Sequence, residues 1–98
     1  MLRLIGLWTQ PEDTDAFERD YLGDVFSRLG QLPHLQWSKT VRCIYGPYFR
    51  MTEVGYQTLD ELNADLDSEL GQELTEQSRS LAAKYGIRLD VVVVADAS

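Results

Sequence analysis

Hydrophobic positions along this chain follow two rhythms, dense or alternating short runs and stripes at helical spacing. Leu2 to Thr9 is a run rich in Leu, Ile and Trp that stops at the turn-like Gln10-Pro11-Glu12-Asp13. Its length and its proline boundary predict a buried strand rather than a helix. Asp13 or Thr14 then supplies a cap, and acids crowd the first turn, where the helix dipole favours them. Phe17, Tyr21, Val25 and Leu29 recur at four-residue steps, with Leu22 and Phe26 widening the stripe. Gly30 and Pro33 end that helix. From Leu35 to Tyr45 the period becomes two: Leu35, Trp37, Val41, Cys43 and Tyr45 alternate with Gln36, Ser38, Thr40 and Arg42. Gly46-Pro47 makes a turn and Tyr48 to Tyr56 a second strand, which together predict a hairpin. Thr58-x-x-Glu61 is a capping box with Leu59, Leu62 and Leu66 behind it. Asp67 or Ser68 restarts the helix, and Leu70, Leu74, Leu81 and Tyr85 carry its stripe to Gly86. Arg88 to Ala95 reads as a strand whose valines are apolar on both faces, which predicts a central or sandwiched position.

The order β-α-β-β-α-β predicts an α+β, ferredoxin-like domain over residues 1–98. In it a four-stranded antiparallel sheet carries two helices on one face. The other face keeps apolar groups that nothing in the chain covers, and a second copy is the simplest lid.

Composition narrows the function. Nine basic and sixteen acidic side chains give a charge of −7, which argues against nucleic acid or an anionic membrane as partner, since both need clustered Lys and Arg. One cysteine excludes an internal disulfide, and with a single histidine the usual zinc sets are out of reach. The longest apolar stretch, Val91 to Ala95, is far short of a membrane span. No charged-then-apolar export signal opens the sequence, so a cytoplasmic home is expected.

Three stretches together resemble the EthD-like family of the dimeric α+β barrel superfamily: Phe17-x-x-x-Tyr21; Leu32-Pro33 followed by Leu35; and, after the hairpin, Glu53-x-x-Tyr56-x-x-Leu59-x-x-Leu62. The resemblance covers most of the chain through short motifs. It implies a homodimer whose sheets face each other as a barrel, with a small cleft between sheet and helices in each copy. Relatives in the superfamily include cofactor-free monooxygenases, small-molecule isomerases and haem-binding enzymes, so the fold hosts many chemistries. One position departs from the pattern. Eight residues on from Phe17, and eight back from Pro33, lies Val25, where the family commonly has histidine. The chain's one histidine, His34, stands in the turn where the family has glycine.

Candidate chemistry concentrates on the hairpin. His34 has a pKa suited to general base work, yet after Pro33 it reads first as an exposed turn residue. Cys43 reads as small apolar filler. Trp37, Tyr45, Tyr48 and Phe49 cluster within thirteen residues, while Lys39, Arg42 and Arg50 are the only charges between Leu35 and Thr52. A two-residue turn sets Tyr45 opposite Tyr48 and Thr40 opposite Glu53, with Arg42 on the diagonal to Glu53. Aromatic packing at a dimer seam and a cross-hairpin ion pair compete with a ligand site at each of these positions. The eight acids and no base from Glu53 to Glu76 read as a solvated face.

If a pocket exists, it is expected under the helices and near the hairpin, with Trp37, Arg42, Tyr45 and Glu53 as ligand-binding residues; no catalytic residue, metal or cofactor is assigned. Two functions are open. One is a cofactor-free oxygenase or isomerase acting on a small aromatic or polyketide-like molecule. The other, favoured by Val25, is a non-catalytic homodimer that binds a small apolar ligand. An open cleft of roughly 300 Å³ or more with convergent polar groups would support a ligand role, and a cleft filled by Trp and Leu a scaffold.

Overall fold

The computed structural model describes residues 1–96. Strand β1 is Leu2–Thr9, and helix α1 runs through Thr14–Tyr21, a π-helical turn Leu22–Phe26 and a last turn Ser27–Leu29. The hairpin strands are β2, Trp37–Arg42, and β3, Tyr48–Tyr56; helices α2, Leu59–Asp67, and α3, Glu69–Lys84, precede β4, Leu89–Ala95. The antiparallel sheet has the order β2-β3-β1-β4, the ferredoxin-like arrangement that the pattern predicts. Among the described residues no helix is long and apolar enough to cross a membrane.

The caps fall where the side chains can reach the free N–H groups. Asp13 accepts from the amide of Ala16, Thr58 from that of Glu61, and Ser68 from that of Gly71. Ser68 is thus the residue that breaks α2 from α3. Gly71 sits close beneath that corner: a Cβ there would lie 1.9 Å from the carbonyl oxygen of Asp65.

The π turn explains how a strict four-residue stripe stays on one face. On a helix of 3.6 residues per turn such spacing drifts by about 40° per step, or about 120° from Phe17 to Leu29. One extra residue in a π turn returns about 100° of that. Phe17, Tyr21, Val25 and Leu29 are all buried. Trp8, Phe17, Tyr21 and Phe49 pack edge-on and stacked at one end of the core, and Val54, Tyr56, Leu62 and Leu74 fill the other.

Two expectations are overturned. The valine strand β4 is an edge, not a centre, and Val91, Val92 and Val93 are 53%, 44% and 49% exposed. The hairpin register is also shifted by one. Cys43 to Pro47 forms a longer turn around Gly46, whose φ of +105° suits glycine. Thr40 therefore pairs with Thr52, Lys39 with Glu53 and Arg42 with Arg50. A slip of one residue sends each side chain to the opposite face.

Candidate functional site

Alternation along β1 separates the two faces of the sheet. Leu4, Gly6 and Trp8 look toward the helices, so Arg3, Ile5 and Leu7 look away from them. Between the helix-side face and the helices lies a cleft of about 750 Å³. Its walls are mainly apolar: Leu4, Val54 and Val91 from the sheet, Val25 and Leu29 from α1, and Leu74 and Ala82 from α3. Arg79 and the exposed Arg88 add cations to its lining.

Polar groups reach the cleft at two ends. At the first, Thr52 stands on the sheet floor, its Oγ1 receiving a hydrogen bond from Trp8 Nε1 at 3.2 Å and touching the Tyr21 hydroxyl. Tyr21 lies 2.8 Å from Thr40 Oγ1, and Arg50 Nη1 donates to that same oxygen at 3.0 Å. The Arg50 guanidinium, over the Tyr21 ring at 5.3 Å, is anchored by both carboxylate oxygens of Glu18. Burial pushes the Tyr21 phenol above its ordinary pKa, opposed by its threonine partners and the Arg50 charge.

At the second end Asp65, 1% exposed, accepts three hydrogen bonds. They come from the Tyr56 hydroxyl at 2.7 Å, from His34 Nδ1 at 2.7 Å and from the His34 backbone N–H at 3.1 Å. Asp65 and Tyr56 both line the cleft, while His34 backs them from the turn with its ring half exposed. Burial, then the bond to Asp65 and its charge, drive the Tyr56 phenol far above the usual tyrosine range. It stays a neutral donor to the carboxylate.

None of the four residues expected in the cleft lines it. Trp37 lies on the far face over Gly55, where a Cβ would come within 2.2 Å of its Nε1. Glu53 is on that face too, paired to Arg3 at 3.1 Å. Tyr45 is 97% exposed in the turn. Arg42 covers the Phe49 ring at 5.0 Å. The register shift and the long turn separate them. Asp65 corrects the reading of the acidic run as uniformly solvated, while His34 is exposed in its turn as its sequence context says and is hydrogen-bonded there to Asp65. The signal for Asp65 was its place three residues after Leu62 and one before Leu66, on the covered side of the stripe. Thr52 carried no signal of its own. Among the described residues no cluster of His, Cys, Asp and Glu is set to hold a metal ion.

No protein-family model and no curated protein sequence matches the chain. Solved structures do. An ethyl tert-butyl ether D (EthD) family protein of Bacillus halodurans superposes with a TM-score of 0.89 at 24% identity, covering 99% of each chain. SnoaB, a cofactor-independent oxygenase of Streptomyces nogalater studied as a mutant, gives 0.76 at 9% identity over 99% of this chain and 93% of its own. A dimeric protein of unknown function from Bacteroides fragilis with a ferredoxin-like fold gives 0.71 at 8% identity, over 97% and 95%. The chain thus has the fold shared by these proteins.

Proposed function

We propose that this chain is an EthD-like protein, one domain over residues 1–98, that binds a small apolar, aromatic or polyketide-like molecule in the cleft beneath its helices. The observation that carries the reading is the cleft itself. At about 750 Å³ it exceeds the roughly 300 Å³ at which small-molecule sites begin, and two separate polar groups converge on mainly apolar walls. A cleft meant only for packing would be filled.

The homodimer belongs to the same proposal. Ile5, Leu7, Val41 and Met51 lie on the face turned away from the helices and are half-buried in the single chain, and Val92 on that face is exposed. Covering that face removes apolar area from water at about 25 cal/mol per Å². Trp37 and Glu53 then fall at the seam. A barrel of facing sheets fits the description of the Bacteroides fragilis relative as dimeric.

A catalytic reading is favoured by one observation, the buried carboxylate of Asp65 between Tyr56 and His34 at the cleft wall. It is a group able to take a proton from an acidic C–H or O–H without a cofactor, the kind of step a cofactor-free oxygenase or isomerase needs. Binding alone stands first, because Val25 occupies the position where the EthD-like resemblance places histidine.

Native mass spectrometry of protein purified from its own host tests both parts. The expected result is an assembly of about twice 11.2 kDa carrying a retained small molecule. A clean, empty monomer at micromolar concentration, with no binding of apolar aromatics, would remove the proposal.

A further inference from the structure

The bases of this chain are unevenly compensated around the cleft. Arg3, Arg28, Arg50, Lys84 and Arg88 each hold a carboxylate at ion-pair distance. Arg19, Lys39, Arg42 and Arg79 have no such partner among the described residues, and of these Arg79 alone lines the cleft. Its side chain is exposed, which sets it at the mouth. Glu76, one turn back on α3, lines a separate groove with Arg28 and Glu73 and makes no ion pair with it. Arg88 lines the cleft as well, but its charge is met by Asp90, 2.8 Å from its Nε. Arg79 is therefore the uncompensated cation of a lining whose only acid among the described residues is Asp65, in a chain of net charge −7. These two charges stand at opposite ends. Gly71 lies against the Asp65 carbonyl, and Arg79 comes eight residues later on α3, about 12 Å along the helix. Ala82, three residues beyond Arg79, packs in the cluster of Trp8 and Phe17, and the Arg88 backbone N–H donates to Thr9 at the end of β1.

We propose that the cleft takes an apolar molecule that carries a carboxylate, and that Arg79 receives this carboxylate at the mouth. The proposal rests on the ligand-cleft reading above and names the chemical class that site takes. The guanidinium offers paired N–H donors that match the two oxygens of a carboxylate. At the mouth the carboxylate keeps part of its water, so it escapes the cost of full burial, while the apolar body lies against Val25, Leu74 and Ala82. The apolar wall beside Arg79 excludes water from one side and strengthens the attraction.

The test uses two probes of the same shape, 2-naphthoate and 2-acetylnaphthalene, which differ in a carboxylate oxygen against a methyl group. In calorimetry at neutral pH, Arg79→Gln is expected to weaken 2-naphthoate about fivefold and to leave 2-acetylnaphthalene within about twofold. The site is exposed on a helix, so this variant is expected to fold like the parent. Arg19→Gln removes the same charge from an exposed position outside the cleft and is expected to leave both probes within about twofold. Equal losses for both probes, no loss for either, or an equal effect of Arg19→Gln on 2-naphthoate overturn the inference while the cleft remains a binding site. A parent protein that binds 2-acetylnaphthalene but not 2-naphthoate overturns it in the same way. If the parent binds neither probe, the ligand-cleft reading falls and this one with it.

Discussion

The two ends of the cleft each rest on a buried tyrosine and a charged group, and the two charges have opposite sign. Each has a buried tyrosine, on the sheet or the facing helix, and one charged anchor; the hydroxyl neighbours belong to the Tyr21 end alone. At one end the anchor is Arg50, set behind Thr40 and Tyr21, whose hydroxyls link it to Thr52 on the cleft floor. At the other the anchor is Asp65, which stands on the wall itself and is surrounded by donors. The lesson is that two buried charges beside one cleft are met by different means. A cation is met by acceptors, while a carboxylate gathers donors onto itself. The arginine has Glu18 to neutralise it, whereas Asp65 has only neutral donors and a half-exposed histidine.

The largest test of this contrast is removal of the acceptor. Asp65→Ala leaves the Tyr56 hydroxyl and both His34 donors without a partner, and the expected loss is about 3–5 kcal/mol of folding stability, read from urea melts. That is a large part of what a small domain has. A loss below about 1 kcal/mol would mean that water replaces Asp65 and that this end is open.

A smaller effect separates the two tyrosines by pH. The folded protein holds the Tyr56 proton to higher pH than the unfolded chain, whose phenols titrate near about pH 10. Between those values the unfolded state binds fewer protons, so stability present below about pH 10 is lost as pH rises toward the folded value. Tyr56→Phe is expected to cost about 1–2 kcal/mol at neutral pH and to flatten the alkaline decline. Tyr21→Phe should flatten it less, because Arg50 and the threonines partly offset the burial of that phenol. Equal slopes for the two variants would erase the distinction between the ends.

The smallest effect belongs to the hairpin tip. Arg42→Ala and Tyr45→Phe should keep the affinity for 2-acetylnaphthalene within about twofold by calorimetry, since neither side chain lines the cleft. A larger loss would bring the turn over the cleft and add a third polar group to it.

The order of elements, both helix stripes, the caps and the α+β fold class were legible in the chain because they depend on local spacing and on near neighbours. Phe17, Tyr21, Val25 and Leu29 face the core as their spacing says, and Ser68 breaks the helix where a restart was expected. Tertiary structure decided the rest. The pairing of Thr40 with Thr52 hangs on how many residues the turn at Gly46 takes up, and a shift of one in the register moved Glu53 from opposite Thr40 to the far face. That single shift dispersed the expected quartet and assembled the threonine row in its place. The exposure of the valine strand depends on which edge of the sheet it occupies, a choice its own sequence does not contain. Asp65 and His34, 31 residues apart, meet only because the helix break at Ser68 and the close approach at Gly71 bring α2 down beside the turn. Local spacing encodes which face of an element is apolar; which polar groups then meet across that face is set by long-range register, and there the candidate site was made.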